Sequence, residues 1–179
     1  MLDPAIGILI AGCCALLFVT AAVHKLWALR HFTEVLRAYR VLPPGAARLA
    51  LLVPLLELTA GLALLVPATR TAAAGAGAVL LVLYAGAIAL NLARGRRDLA
   101  CGCGGPDAAR PIAPWMVARN LLMAALLLLT LLPWQGRALL ATDALTVGGG
   151  VAVAALLYVS LDRLLGRVLP RAAAFGDPR

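Results

Sequence analysis

The chain has little charge and very little negative charge. Only 13% of its 179 residues are charged, and only eight are acidic. A soluble domain usually carries about 25%, so this chain lacks the polar residues needed to cover a water-facing surface. With 63% apolar residues, the low charge density also excludes a disordered chain. Four cysteines in this length are too few for a disulfide-rich secreted module. Lysine is almost missing, at one residue against 15 Arg, a preference that reflects composition more than function. What remains is a polytopic membrane protein.

Five apolar runs are long enough to cross a bilayer core of about 30 Å as helices. They are Ala5 to Val23, Leu49 to Val66, Thr71 to Ala93, Trp115 to Trp134 and Ala144 to Leu161. Only Glu57 and Arg119 interrupt them. The runs are continuous and lack the alternating polarity of barrel strands, so they read as helices. The start of the chain lacks a basic region and carries Asp3, so the first span is read as retained and not as a signal peptide.

The net charge of +8 would suit nucleic acid in a soluble chain. Here the basic residues lie between apolar runs, and membrane topology explains them better, so nucleic acid is not an expected partner. Fourteen of them fall in three segments: Lys25 to Arg48, Arg94 to Arg119, and the tail from Arg163. The other two connections hold only Arg70 and Arg137. The positive-inside rule then puts the N-terminus outside and the C-terminus in the cytoplasm of an inner membrane.

Residues 25–42 do not read as a span. Leu26, Leu29, Phe32, Leu36 and Tyr39 recur at helical steps with charges between them, as in an amphipathic helix lying in the interface. Pro43-Pro44-Gly45 ends it. Gly75 and Gly77 allow close helix contact on the third span. Pro54 is expected to kink the second span, and Gly148-Gly149-Gly150 to loosen the start of the fifth. The expected whole is an all-α transmembrane bundle over residues 1–169, with a flexible tail at 170–179.

The richest local sequence is Cys101-Gly102-Cys103-Gly104-Gly105-Pro106, within a loop at 94–114. Two thiols one glycine apart can form a small strained disulfide that exchanges easily. Arg94, Arg96, Arg97 and Arg110 surround them with positive charge, which favours thiolate. Thiol–disulfide exchange at Cys101 and Cys103 is one reading. Half of a zinc site completed by His24 and His31 is another, although structural zinc prefers Cys pairs spaced more widely. Incidental thiols in a glycine-rich turn are a third. Cys13 and Cys14, inside the first span, read as small apolar fillers.

Glu57 is costly within a membrane and should face the bundle interior, paired or protonated. Arg119 is its expected partner, with Asn120 beside it. Asn91, His24 and Lys25 end their spans on the same side, so the polar groups converge near the cysteine loop. They serve either as an ion pair that fixes packing, or as a polar vestibule with His24 carrying protons.

One ordered set of residues carries a family resemblance. It runs through His24-Lys25, Tyr39 with Leu42-Pro43, Pro54 with Glu57-Leu58 and Gly61, Tyr84, Asn91-Leu92 and Arg94-Gly95-Arg96. Cys101-Gly102-Cys103-Gly104, Trp115, Val117 and Arg119-Asn120-Leu121 complete it. Over residues 5–133 the chain resembles the methylamine utilisation protein MauE family, within the wider DoxX-like group. The resemblance implies a four-span helical core, here with a fifth span added. It also implies help in maturing methylamine dehydrogenase, an exported enzyme rich in disulfides, beside a thioredoxin-like partner. By analogy with four-helix disulfide oxidases, a quinone is a possible electron acceptor, though no residue here marks a site for it. A non-catalytic membrane scaffold and a small transporter are the alternative functions.

Overall fold

A computed structural model describes residues 3–41, 43, 46–102, 111–133 and 136–175, without the side chains at 46–48, 162 and 165–175. The described residues form six α-helices, which are α1 (Pro4–Trp27), α2 (Leu29–Tyr39), α3 (Leu52–Leu65), α4 (Arg70–Ala93), α5 (Pro114–Leu129) and α6 (Ala141–Phe175). A 3-10 helix, Ala46–Leu51, leads into α3. The protein is an all-α helical membrane protein. Three of its helices, Pro4–Trp27, Arg70–Ala93 and the Ala141–Leu161 part of α6, are long and apolar enough to cross a membrane. The helices of the second and fourth expected spans are shorter. The 16 residues of α5 rise about 24 Å.

Local chemistry sets the helix ends. Asp3 caps α1 by accepting from the Ala5 amide at 2.8 Å, with Pro4 in the first helical position. The α3 helix stops at Leu65, and Pro67 follows. The side chains of Thr69 and Arg70 then take up the carbonyls of Ala63 and Leu64. After Leu129 the chain tightens into successive three-residue turns ahead of Pro133. Pro54 lies in the first turn of α3, just after the 3-10 helix Ala46–Leu51 gives way to α-helix at Leu52.

The four-helix core is a ring of α1, α3, α4 and α5. Each of α3 and α5 packs between α1 and α4, so these two stand on opposite corners. Small residues let the backbones approach, as membrane packing requires. A Cβ built on Gly61 would lie 2.9 Å from Val19, and one on Gly77 would lie 2.9 Å from the Phe18 ring. Gly75 meets nothing within 4 Å and does not serve as such a contact.

The α6 helix lies outside the ring against α1. The helix runs unbroken through Gly148-Gly149-Gly150 and on to Phe175. Gly150 marks a close crossing, where a Cβ would come 2.8 Å from Leu9.

The apolar face of α2 is covered by protein. Phe32, Val35 and Tyr39 are buried. Val35 and Tyr39 join Ile88, Ile112 and Met116 in a second apolar cluster, against which Leu99, Ala100 and Cys101 pack. This cluster fastens the entry of the cysteine loop to the bundle.

Candidate functional site

The inner stripe of α1 runs through Ala11, Ala15, Phe18, Ala22 and Lys25 at steps of four and three residues. Lys25 therefore continues an inward face. On α3 the stripe is Pro54, Glu57, Ala60, Gly61 and Leu64, which turns Glu57 inward as well. The two helices pack directly, and Lys25 Nζ donates to Glu57 Oε1 in an ion pair. Both residues are buried, at 5% and 1% exposure. Tyr84, from α4, donates its hydroxyl to the same carboxylate oxygen at 2.9 Å. The Lys25 ammonium also stands 4.9 Å from the centre of the Tyr84 ring and 5.3 Å from that of Phe32, within cation–π range. The other carboxylate oxygen, Glu57 Oε2, is buried and has no hydrogen-bond partner among the described residues.

This pairing corrects one expectation. Glu57 takes Lys25 and not Arg119, because α5 stands diagonally across the ring from α3. Arg119 instead lies 5.2 Å from the Trp115 ring and 5.7 Å from the ring of Tyr158 on α6. Asn120 is buried and returns its amide to the Met116 carbonyl. His24 meets Trp27 edge-on at 6.5 Å. The structure brings Lys25, its neighbour, to Glu57. His31 is exposed on α2. Among the described residues, no three His, Cys, Asp or Glu side chains gather as a metal set.

A second polar group holds the loop. The α4 helix ends with Gly95 at φ 71°, while the amides of Gly95 and Arg96 bond back to Leu92 and Asn91. This Schellman turn aims Arg96 at the end of α2. Its guanidinium donates to the carbonyl of Ala38 at 2.6 Å, to that of Tyr39 at 3.5 Å, and to Asn91 Oδ1 at 2.9 Å. A cation at a helix C-terminus also suits the helix dipole. Arg94 and Arg97 are exposed.

The loop closes at its base through the Ala100–Pro111 bridge and the bond from Ile112 N to Leu99 O, at 2.9 Å. Cys101 follows, half-buried, and its carbonyl accepts from the Tyr39 hydroxyl at 3.5 Å. Gly102 adopts φ 70°, and a Cβ there would lie 3.1 Å from Val35, so this position suits glycine on two counts. Cys103 and Arg110 lie outside the described residues.

Between these two groups lies a cavity of about 90 Å³. Lys25, Tyr84, Tyr39 and Cys101 with Gly102 all line it, and its remaining walls are apolar, including Val35, Leu36 and Ile88. The site therefore joins a buried ion pair to a cysteine through a small apolar chamber.

Residues 3–135 match the family model described as Methylamine utilisation protein MauE. The chain belongs to the MauE family. A relative named Methylamine utilization protein MauE, from Paracoccus denitrificans, is 40% identical over 155 residues, which are 85% of this chain and 83% of the relative. Its namesake from Methylophilus methylotrophus is 34% identical over 167 residues, covering 92% and 88%. That of Paracoccus versutus is 38% identical over 170 residues, covering 92% and 89%. No solved structure matches. The matched MauE region holds α1 to α5 and therefore both polar groups and the cysteine loop, and it ends before α6 begins at Ala141.

Several members of this site are hard to find in the sequence. A lysine at a helix end ordinarily snorkels to the interface. The signal that Lys25 turns inward is its place seven residues after Phe18, on the buried stripe. Tyr39 is signalled by its place on the apolar stripe of α2, and Tyr84 only by its place among the residues that carry the family resemblance.

Proposed function

We propose that this MauE-family membrane protein assists the maturation of methylamine dehydrogenase, or of another exported enzyme, by thiol–disulfide exchange at Cys101 and Cys103. The names of the relatives support the link to methylamine utilisation. The observation that carries the exchange reading is the setting of Cys101. Its backbone is held by Tyr39, its loop is closed at the base, and its residue borders the chamber that ends at Lys25. Holding a thiol in a fixed position, partly exposed to a partner, is what exchange with a folded protein needs.

A thioredoxin-like protein is the direct partner in this reading, and the loop, on the cytoplasmic side, relays electrons from inside for the exported client. The chain sits in a bacterial inner membrane as a multi-pass protein, with its N-terminus outside and its C-terminus in the cytoplasm, as the basic residues indicate. A reporter enzyme fused after Arg110 checks that orientation, with cytoplasmic activity expected and periplasmic activity against it.

Replacing Cys101 and Cys103 by serine tests the function. Client disulfides should then fail to form while the protein remains in the membrane. Alkylation trapping in cells should find both thiols cycling between oxidised and reduced forms. Full client maturation with both serines would overturn the exchange reading and leave a non-catalytic scaffold.

A further inference from the structure

We infer that the chamber bordered by Lys25, Tyr84 and Cys101 is a binding site for the ring of a lipid-soluble quinone, which accepts electrons from the cysteine pair. The inference deepens the exchange reading above and rests on it. It names where the electrons go once the loop has taken them from its protein partner.

The wall provides the first observation. Three aromatic side chains line the chamber, from Phe32, Tyr39 and Tyr84, and aliphatic side chains supply nearly all the rest. A cavity this apolar stays dry and takes an apolar guest, and an engineered one of about 150 Å³ holds benzene whole. At about 90 Å³, and open on one side, this chamber has room for the leading edge of a single ring, with the remainder outside.

Charge provides the second. The Lys25 ammonium stands between the rings of Phe32 and Tyr84, so it belongs to the chamber wall. An ammonium has three N–H donors, and Glu57 Oε1 accepts from one of them. The same carboxylate balances the lysine charge. The wall therefore offers a hydrogen-bond donor without a net charge. Such a site suits a carbonyl oxygen on a neutral ring. It disfavours a fatty-acid carboxylate or a phosphate headgroup, which would bring an unmatched charge into an apolar space.

Depth provides the third. Tyr84 lies nine residues before the end of α4 at Ala93, about 14 Å along the helix. Beside the wall residues Val53 and Tyr84, the side chains of Leu52, Leu56 and Leu83 are large, apolar and exposed, as lipid-facing positions are. The chamber thus reaches from the cysteine loop into the bilayer, where a membrane-soluble ring can enter and a folded water-soluble protein cannot.

Cys101 on the border makes the occupant a redox partner and not a structural lipid. As the Cys101–Cys103 S–S bond forms, both S–H bonds break. The two electrons and two protons released convert the ring's two carbonyl groups to hydroxyls, so the pair is oxidised and the ring reduced. The thioredoxin-like partner then restores the two thiols by exchange and keeps the disulfide.

The test uses the full chain in lipid nanodiscs. An azidobenzoquinone with a short alkyl tail is photo-crosslinked and the labelled peptides are mapped. Label is expected on α2 and around Tyr84, displaced by decylubiquinone and not by oleate. A87F and V53F fill the chamber from two different helices, and each should cut labelling about tenfold or more. Unfolding midpoints separate lost binding from lost fold. K25M/E57L removes the ammonium and its counterion together. It should lower the affinity for decylubiquinone about tenfold and leave that for decylbenzene, which has no carbonyl, unchanged. With both loop cysteines replaced by serine, labelling should persist and reduction of decylubiquinone should cease. Label scattered over the lipid-facing surface, displaced equally by oleate, or undiminished in both filling variants overturns the inference. So does a native chain with reduced thiols that binds decylubiquinone and leaves it oxidised. Mixed-disulfide formation with a partner disulfide, measured without quinone, reads the exchange function by itself. Loss of quinone binding leaves that reading standing, whereas its own failure takes this inference with it.

Discussion

At the residue scale, the central interaction is the buried pair between Lys25 and Glu57. Removing one member strands a charge in an apolar interior, while removing both leaves only a packing change. K25M should therefore lower stability by about 3–5 kcal/mol, read as a drop in the unfolding midpoint in detergent. The double variant K25M/E57L should recover most of that loss. A double variant no better than the single would show that the pair does not act as a unit. Gly102 makes a separate prediction. Its φ of 70° and the nearby Val35 side chain oppose any Cβ. G102A should cost about 1–2 kcal/mol of backbone strain, and it should loosen the loop enough to speed proteolysis there. Glu57 was legible in the sequence because a lone acid in an apolar run must be satisfied inside. Its partner was not: the sequence pointed to Arg119, and only helix adjacency gives the place to Lys25.

At the scale of elements, close contact between helices depends on which glycines face a neighbour. G77V should destabilise by about 1–3 kcal/mol, because its side chain would meet Phe18 and Leu127 in the core. G75V, two residues earlier on the same helix, should change stability by no more than about 0.5 kcal/mol, since nothing lies within 4 Å of it. Thermal unfolding in matched detergent compares the two, and equal effects would contradict the packing described for α4. The sequence shows both glycines on one helix and does not show which is inward. The same limit applies to α2, whose amphipathic period was plain. The period could not tell whether lipid or the cysteine loop covers the apolar face. Long-range contacts at Tyr39 and Arg96 decide that, because they tie residues about 60 positions apart.

At the scale of the whole molecule, one ionic tether joins the two ends of the fold. Arg137 bonds Asp3 through two nitrogens, at 2.9 Å each, and also grips Asp143 near the start of α6. The Arg137 guanidinium, followed by the Ala5 amide, holds the Asp3 carboxyl below its ordinary 3.8. A carboxyl with a lowered folded value contributes stability above its unfolded value and loses it as pH falls through the folded one. The tether should therefore hold through neutral pH and release only below about pH 4. Spin labels at Ile6 and Leu145 should report a constant separation above that point and a growing one below it. In R137A the separation should no longer respond to pH, and a response that persisted would assign the effect to other groups.

The sequence alone determined that this is an α-helical membrane protein with a cysteine loop beside polar helix ends. Apolar run length, low charge and motif order are local properties, and they survive without knowledge of the neighbours. Tertiary structure alone decided that Lys25 pairs with Glu57, that Arg119 turns to aromatic rings, and that α6 crosses α1 at Gly150. The physical reason is that an ion pair or a close crossing belongs to two helices at once. Which helices stand side by side is settled by how their small residues pack, and no single stretch of chain contains that information.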